Sequence, residues 1–332
     1  MRKPLVFVAL PPRLYGRFFS PDVEGRLRSF AEVTRNETDR DLTEEEMSQR
    51  VREVDGAIFG WEGGGLTERN IAQARNLKII GQVGGTVKHM DTEAALARGI
   101  VIVNSAPAMS TSVAEFTLAL ILDCLHHITL YDRLMRDRRE SEQVPLGRGL
   151  TGRRVELIGF GLIGQKVAAL LEPFDVEISI YDPYVSQEVI VALGANSASL
   201  EEVLTSSDVV SVHAGLPPQT HHLLDRQRLD LLRPGAILIN TARGEVIDQE
   251  ALVDKLKEGQ LAAALDVFSE EPLPTSHELR DLHNVILTPH HAAHTGHTYD
   301  LLGRLVVEDF ARFFSGQTPL HVLTRERLPR MT

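Results

Sequence analysis

Apolar residues along this chain gather in short runs rich in Val, Ile and Leu, and between those runs they recur at helical spacing. That alternation is the pattern of a parallel sheet whose strands are joined by helical crossovers, so the class is α/β. In the first third the predicted strands are LVFVAL, GAIFG, LKIIGQV and IVIVNS, separated by the helical stretches PDVEGRLRSF, LTEEEMSQRVREV, LTERNIAQARN and DTEAALARG. A longer helical segment is predicted over about 112–138, opening on VAEFTLALILDCLHHI and closing on the charged run YDRLMRDRRE. The polar loop SEQVPLGRGLTG, with its glycines and proline, then resets the pattern. From Arg154 a second series reads VELIG, EISIYD, DVVSVHAG, AILINTA, LAAALDV and NVILTPH, followed by a last helix over about 293–314. This helix either ends the second domain or returns to the first and makes it discontinuous; periodicity leaves both open.

The 332 residues suffice for two domains of ordinary size. Hydrophobic residues at 43% and charged residues at 24% are ordinary for a soluble globular protein, and no apolar run approaches the roughly 20 residues needed to span a bilayer. MRKPLVFVAL is followed by PPRLYG without a small-residue cleavage site, so it reads as a first strand and not as a signal peptide, and a cytoplasmic location is expected. A formal net charge of −11 argues against nucleic-acid binding, which needs a basic surface, but leaves room for an anionic small substrate where positive charge is concentrated. The single cysteine, Cys124, excludes an internal disulfide and reads as a small core residue.

Two sets of residues change the picture from fold to chemistry. The first is GFGLIG, with Gly159, Gly161 and Gly164 placed after one strand and before a helix. Such glycines allow a tight turn, close approach of the backbone to a pyrophosphate and close helix–strand packing, with the helix N-terminus facing the phosphates. The next strand ends in Asp182, whose carboxylate suits the adenosine ribose hydroxyls and repels a 2′-phosphate, so the expected cofactor is NAD. The second set lies at three later strand ends: AILINTA leads to Arg243, ALDVFSE to Glu271 and VILTP to His290. Ligands of open parallel sheets bind outside the carboxyl ends of strands, so these side chains are expected to converge beside the dinucleotide. A guanidinium fork for a carboxylate, an imidazole to move a proton and an anion to keep that imidazole charged are what reduction of a 2-keto acid requires of the protein.

GFGLIG with Asp182, INTARGEVID, AALDVFSEEP, LTPHHAAHT and the linking segment SVAEFTLALIL together resemble the D-isomer-specific 2-hydroxyacid dehydrogenases over almost the whole chain. The resemblance implies two doubly wound parallel-sheet domains, Rossmann- and flavodoxin-like, separated by a cleft: a substrate-binding domain of 1–104 plus 292–332, and an NAD-binding domain of 105–291. It implies that Arg243 binds the substrate carboxylate, that His290 is the general acid/base with Glu271 as its partner, and that Asp266 reaches the nicotinamide carboxamide. Cofactor contacts are expected at Gly159, Gly161, Leu162, Ile163, Gly164, Asp182, His213, Thr241, Ala242, Asp266 and His290. The partners implied are a small 2-keto or 2-hydroxy acid and a second copy of the chain, paired through the cofactor domains. A dinucleotide-sensing, corepressor-like protein is the alternative on the same fold.

The loop Val83–Asp91, VGGTVKHMD, departs from the family's GVGxDNID: Thr86 replaces a glycine, and Lys88 and His89 stand where an acid and an amide are usual. Substrate contacts are still expected at Val83, Gly84, Gly85 and Lys88, with backbone amides as an anion nest and Lys88 either adding positive potential or turned to water. Near the adenine site, HAGLPPQT departs again, at Gly215 and Pro217. Trp61 either lines the pocket or packs. His291, His294 and His297 continue into the last helix, and His290 with His294 at a spacing of four has no thiolate or evident carboxylate beside it, so no metal is expected.

Overall fold

The computed structural model describes residues 2–137, 145–326 and 328. The end of the predicted charged run, 138–140, and the start of the following loop, 141–144, lie outside the described residues. The chain folds as two compact units, Met1–Met109 with His294–Thr332, and Ser110–Ala293.

In the first unit, β1 (Leu5–Val8), β2 (Glu32–Arg35), β3 (Gly56–Phe59), β4 (Ile79–Gln82) and β5 (Val101–Asn104) form a parallel sheet of order β2-β1-β3-β4-β5. The central strands β3 and β4 are buried throughout, which is why they read as continuous apolar runs. β2, with the sequence EVTR, was not predicted: it is a mostly exposed edge strand with no apolar alternation. The helix Pro12–Phe18 was missed too, although Pro at its first turn is a start signal. The last helix, Gly296–Phe314, belongs to this unit, with Val306 and Phe310 in its core. Small residues set its approach. A Cβ on Gly81 would lie 2.5 Å from Val306 and 2.7 Å from Phe310, and one on Gly303 only 1.8 Å from the Phe18 carbonyl oxygen.

In the second unit β6 (Arg154–Ile158), β7 (Glu177–Tyr181), β8 (Asn196–Ser197), β9 (Val209–Val212), β10 (Ile237–Asn240), β11 (Ala262–Leu265) and β12 (Val285–Leu287) form a parallel sheet of order β12-β11-β10-β9-β6-β7-β8. Strand order reverses between β6 and β9, which is where a doubly wound sheet opens a crevice for a ligand. The predicted long helix is two: Ser110–His126 and Ile128–Arg136, broken at His127, which adopts a left-handed φ of 58°. Contrary to the sequence expectation, the helical stretch Ala106–His126 is long and apolar enough to cross a bilayer by length and composition; 56% of its most apolar 18 residues are buried inside the protein, as suits a core helix. Cys124 lies on it as a buried free thiol, pushed up to about 12 by burial.

Candidate active site

At the carboxyl end of β6 the three glycines divide their work. A Cβ at Gly159 would sit 2.7 Å from the Ala214 nitrogen, and one at Gly164 would sit 2.4 Å from the Gly159 carbonyl oxygen, so these two permit packing of the turn on itself and on the β9 loop. Gly159 also holds a φ of 97°. A Cβ at Gly161 would meet nothing within 4 Å. Open space therefore remains at the N-terminus of the helix Leu162–Leu171, whose first amides and macrodipole favour a phosphate there. Leu162 is exposed in the same turn. Asp182, just past β7, accepts the Phe160 N–H at 2.7 Å and the Tyr184 N–H at 2.8 Å, so the carboxylate also fixes the glycine turn from across the strand pair. His213, at the end of β9, shares its Nε2 with the Ser211 hydroxyl at 2.9 Å, and burial holds its ring down at about 4, so it is neutral. These residues fit a bound dinucleotide.

The three chemical residues follow β10, β11 and β12, which are adjacent in the sheet. Arg243 leaves β10 in extended conformation and donates from Nη1 to the Ala242 carbonyl oxygen at 2.6 Å. Burial pulls its pKa below the ordinary arginine value, while the carboxylates of Glu271 and Glu245 oppose that shift. The next residue, Gly244, is obligatory: a Cβ there would lie 1.9 Å from the Phe268 carbonyl carbon. The loop after β10 thus crosses directly over the loop after β11, which carries Glu271. Glu271 accepts the Phe268 N–H at 3.0 Å on Oε1 and meets His290 Nδ1 at 2.7 Å on Oε2. His290 itself holds a positive φ of 55°, and its N–H donates to the Asp266 carbonyl oxygen at 2.7 Å. With Nδ1 engaged by a carboxylate, Nε2 is the nitrogen left to give or take a proton.

Sequence reasoning missed what builds that loop. Asp266 is fully buried, and its carboxylate accepts the Thr288 hydroxyl at 2.6 Å, the His291 N–H at 2.8 Å and the Ala292 N–H at 2.9 Å. Three donors on one buried carboxylate clamp the segment that carries His290. The signal was slight: an acid directly after the apolar run AAAL. Thr241 is buried with its hydroxyl 2.9 Å from that of Thr117, and the Ala242 N–H donates to the Asn240 side chain at 3.0 Å, so both brace the β10 turn. His291 and His297 are exposed, and His294 lies beside Trp61. Among the described residues no three His, Cys, Asp or Glu side chains group as a metal site would need.

The expected substrate loop lies in the first unit, at the end of β4. Val83 is buried and its N–H donates to the Phe59 carbonyl oxygen at 2.8 Å. The Gly84 N–H donates to the Ser105 hydroxyl at 3.2 Å, whereas the Gly85 and Thr86 amides have no partner among the described residues. The amides left open in this loop are thus those of Gly85 and Thr86, one residue along from the expected pair Gly84 and Gly85. Lys88 is exposed and makes no ion pair among the described residues, while His89 turns inward and burial lowers its pKa.

Residues 118–292 match the family model described as "D-isomer specific 2-hydroxyacid dehydrogenase, NAD binding domain". The chain is 34% identical to the D-3-phosphoglycerate dehydrogenase of Methanocaldococcus jannaschii, over 92% of this chain but 59% of that longer one. It is 35% identical to the glyoxylate reductase of Thermofilum pendens, over 86% of this chain and 85% of that one. Among solved structures it resembles the apo form of Rhodotorula graminis D-mandelate dehydrogenase with a TM-score of 0.85, at 26% identity over 98% of each chain.

Proposed function

The chain belongs to the D-isomer-specific 2-hydroxyacid dehydrogenase family, and on that footing we propose that it interconverts a 2-keto acid and its D-2-hydroxy acid with NAD. The observation that carries the reading is the 2.7 Å pairing of His290 Nδ1 with Glu271 at the ends of neighbouring strands that also deliver Arg243. Bound NADH supplies the hydride for the carbonyl carbon. Arg243 binds the substrate carboxylate and polarises the carbonyl; its half-buried guanidinium has few competing partners. His290 gives the Nε2 proton to the carbonyl oxygen in reduction and takes it back in oxidation. Glu271 holds the ring in orientation and balances its charge while it is protonated. Asp182 selects against a 2′-phosphate, and Gly161 with the N-terminus of Leu162–Leu171 seats the pyrophosphate. The chain pairs with a copy of itself through the cofactor-binding unit.

The test is NADH oxidation against a panel of 2-keto acids. Turnover of one or more supports the reading, and tight NADH binding with no turnover on the whole panel would favour a dinucleotide sensor instead.

A further inference from the structure

Three arginines crowd one aspartate at the amino edge of the second unit's sheet, the edge opposite the glycine turn. Asp208 directly precedes β9, and its Oδ1 lies 3.3 Å from Arg233 Nη2 and 3.6 Å from Arg153 Nη1. Its Oδ2 accepts the Arg154 N–H at 3.0 Å. Arg148 approaches from the segment before β6 and donates from Nη1 to the Gly235 carbonyl oxygen at 2.6 Å, two residues beyond Arg233. Its pKa is held below the ordinary arginine value, first by burial and then by the charge of Arg153; Arg233 adds to the shift and Asp208 opposes it. The like charges are thus close enough to repel. Asp123, the other acid that acts on the neighbouring Cys124 and His127 with Arg148, gives both its oxygens to Thr129.

Each guanidinium is tethered by part of its fork and keeps the rest open. Arg153 Nε donates to the Gly149 carbonyl oxygen at 3.1 Å while Nη1 faces Asp208. Its Nη2, the Nε and Nη2 of Arg148, and the Nε and Nη1 of Arg233 have no partner among the described residues. The side chains of Arg153 and Arg233 are only 33% and 39% exposed, so the cluster is fixed and partly shielded from water. In a chain of formal net charge −11, such a surplus of held cations is unusual and attracts an anion. A planar carboxylate is served by a single guanidinium fork. A phosphoryl group brings up to two negative charges and three acceptor oxygens, which suits N–H groups arriving from three chain segments. β6 has five residues, so this edge lies roughly 16 Å from the glycine turn at a rise of about 3.3 Å per residue. We propose that Arg148, Arg153 and Arg233 form a second anion site, separate from the cofactor's, that takes the phosphoryl group of inorganic phosphate or of a small phosphorylated metabolite.

The experiment is calorimetric titration of the NADH-saturated protein with inorganic phosphate, at an ionic strength held constant with KCl. Bound NADH occupies the pyrophosphate seat, so the titration reads the second site. The parent should bind phosphate saturably, one per chain, with a Kd of about 1 mM or lower. Arg148→Gln and Arg233→Gln should each weaken binding about tenfold, whereas Asp208→Asn should tighten it several-fold by removing the carboxylate that competes for the same guanidiniums. NADH affinity should be unchanged in all three. The Asp208→Asn arm reads the site should an arginine variant not fold, and a purely structural cluster would not give opposite signs. Glucose 6-phosphate in the same titration separates the sources: tighter binding than inorganic phosphate assigns the site to a metabolite, and weaker binding to the free ion. Binding that does not saturate, that is equal in the parent and both arginine variants, or that weakens in Asp208→Asn overturns the proposal.

Discussion

Glu271 divides its carboxylate between a backbone amide at 3.0 Å and the imidazole of His290 at 2.7 Å, and that division is why one acid can both shape a loop and serve a reaction. Glu271→Gln keeps the amide contact but removes the charge that balances a protonated ring. It should lower kcat by about tenfold or more while leaving NADH affinity nearly unchanged, as stopped-flow turnover and fluorescence titration would show. An unchanged kcat would remove the pairing from the account. Asp182 divides itself in the same way, since both its oxygens already hold backbone amides of the glycine turn and of Tyr184. Asp182→Ala should therefore weaken NADH several-fold and NADPH much less, narrowing the preference by loss of the loop anchor as well as by relief of repulsion. Equal affinities for the two in the parent would contradict the assignment. Asp182 was legible because it follows directly on β7, and Glu271 because it comes just after the apolar stretch ALDVF that runs on from β11. The role of Asp266 was not, because its donors lie 22 to 26 positions along the chain and meet it only in the fold.

One element carries a group that its surroundings do not favour. Glu156 sits in the middle of β6, buried to 1% exposure, with the Ser206 hydroxyl 2.9 Å from Oε1 and Oε2 without a partner among the described residues. Burial raises its pKa above the ordinary carboxyl value, with the Ser206 hydroxyl opposing the shift. The raised folded-state value means that the unfolded chain ionises first, so the native state loses stability relative to it as the pH climbs from the ordinary carboxyl value through the raised one. Glu156→Gln stays neutral throughout. Its melting temperature should match the parent in acid and gain on it as the pH rises to neutral, by roughly 2–4 °C for each kcal/mol relieved. A gap that does not widen with pH would refute the buried-acid argument. At this scale the strongly apolar elements were readable, and the misses have physical reasons. β8 is two residues long and exposed, β2 is a polar edge, and the break at His127 interrupts a pattern with no glycine or proline to announce it.

For the whole molecule, the second unit leaves an apolar face unburied. Along the helix Ile128–Arg136, Ile128, Tyr131 and Met135 share one side by their spacing, and they are 57%, 37% and 72% exposed. A contiguous exposed apolar stripe marks an interaction surface, and a second copy meeting it isologously is the occupant that the proposed dimer supplies. Light scattering should give twice the chain mass for the parent and the chain mass for Ile128→Asp/Met135→Asp; a monomeric parent would overturn the pairing. The parallel α/β organisation and the order of the site along the chain were readable from periodicity. Periodicity could not assign the last helix, because its membership of the first unit depends on contacts such as Gly303 against Phe18, which have no periodic signature. The proposed reaction depends most directly on His290. Steady-state oxidation of NADH with the best 2-keto acid should fall about 100-fold or more in His290→Ala, with the NADH dissociation constant unchanged within about twofold. Full turnover by His290→Ala would contradict the account.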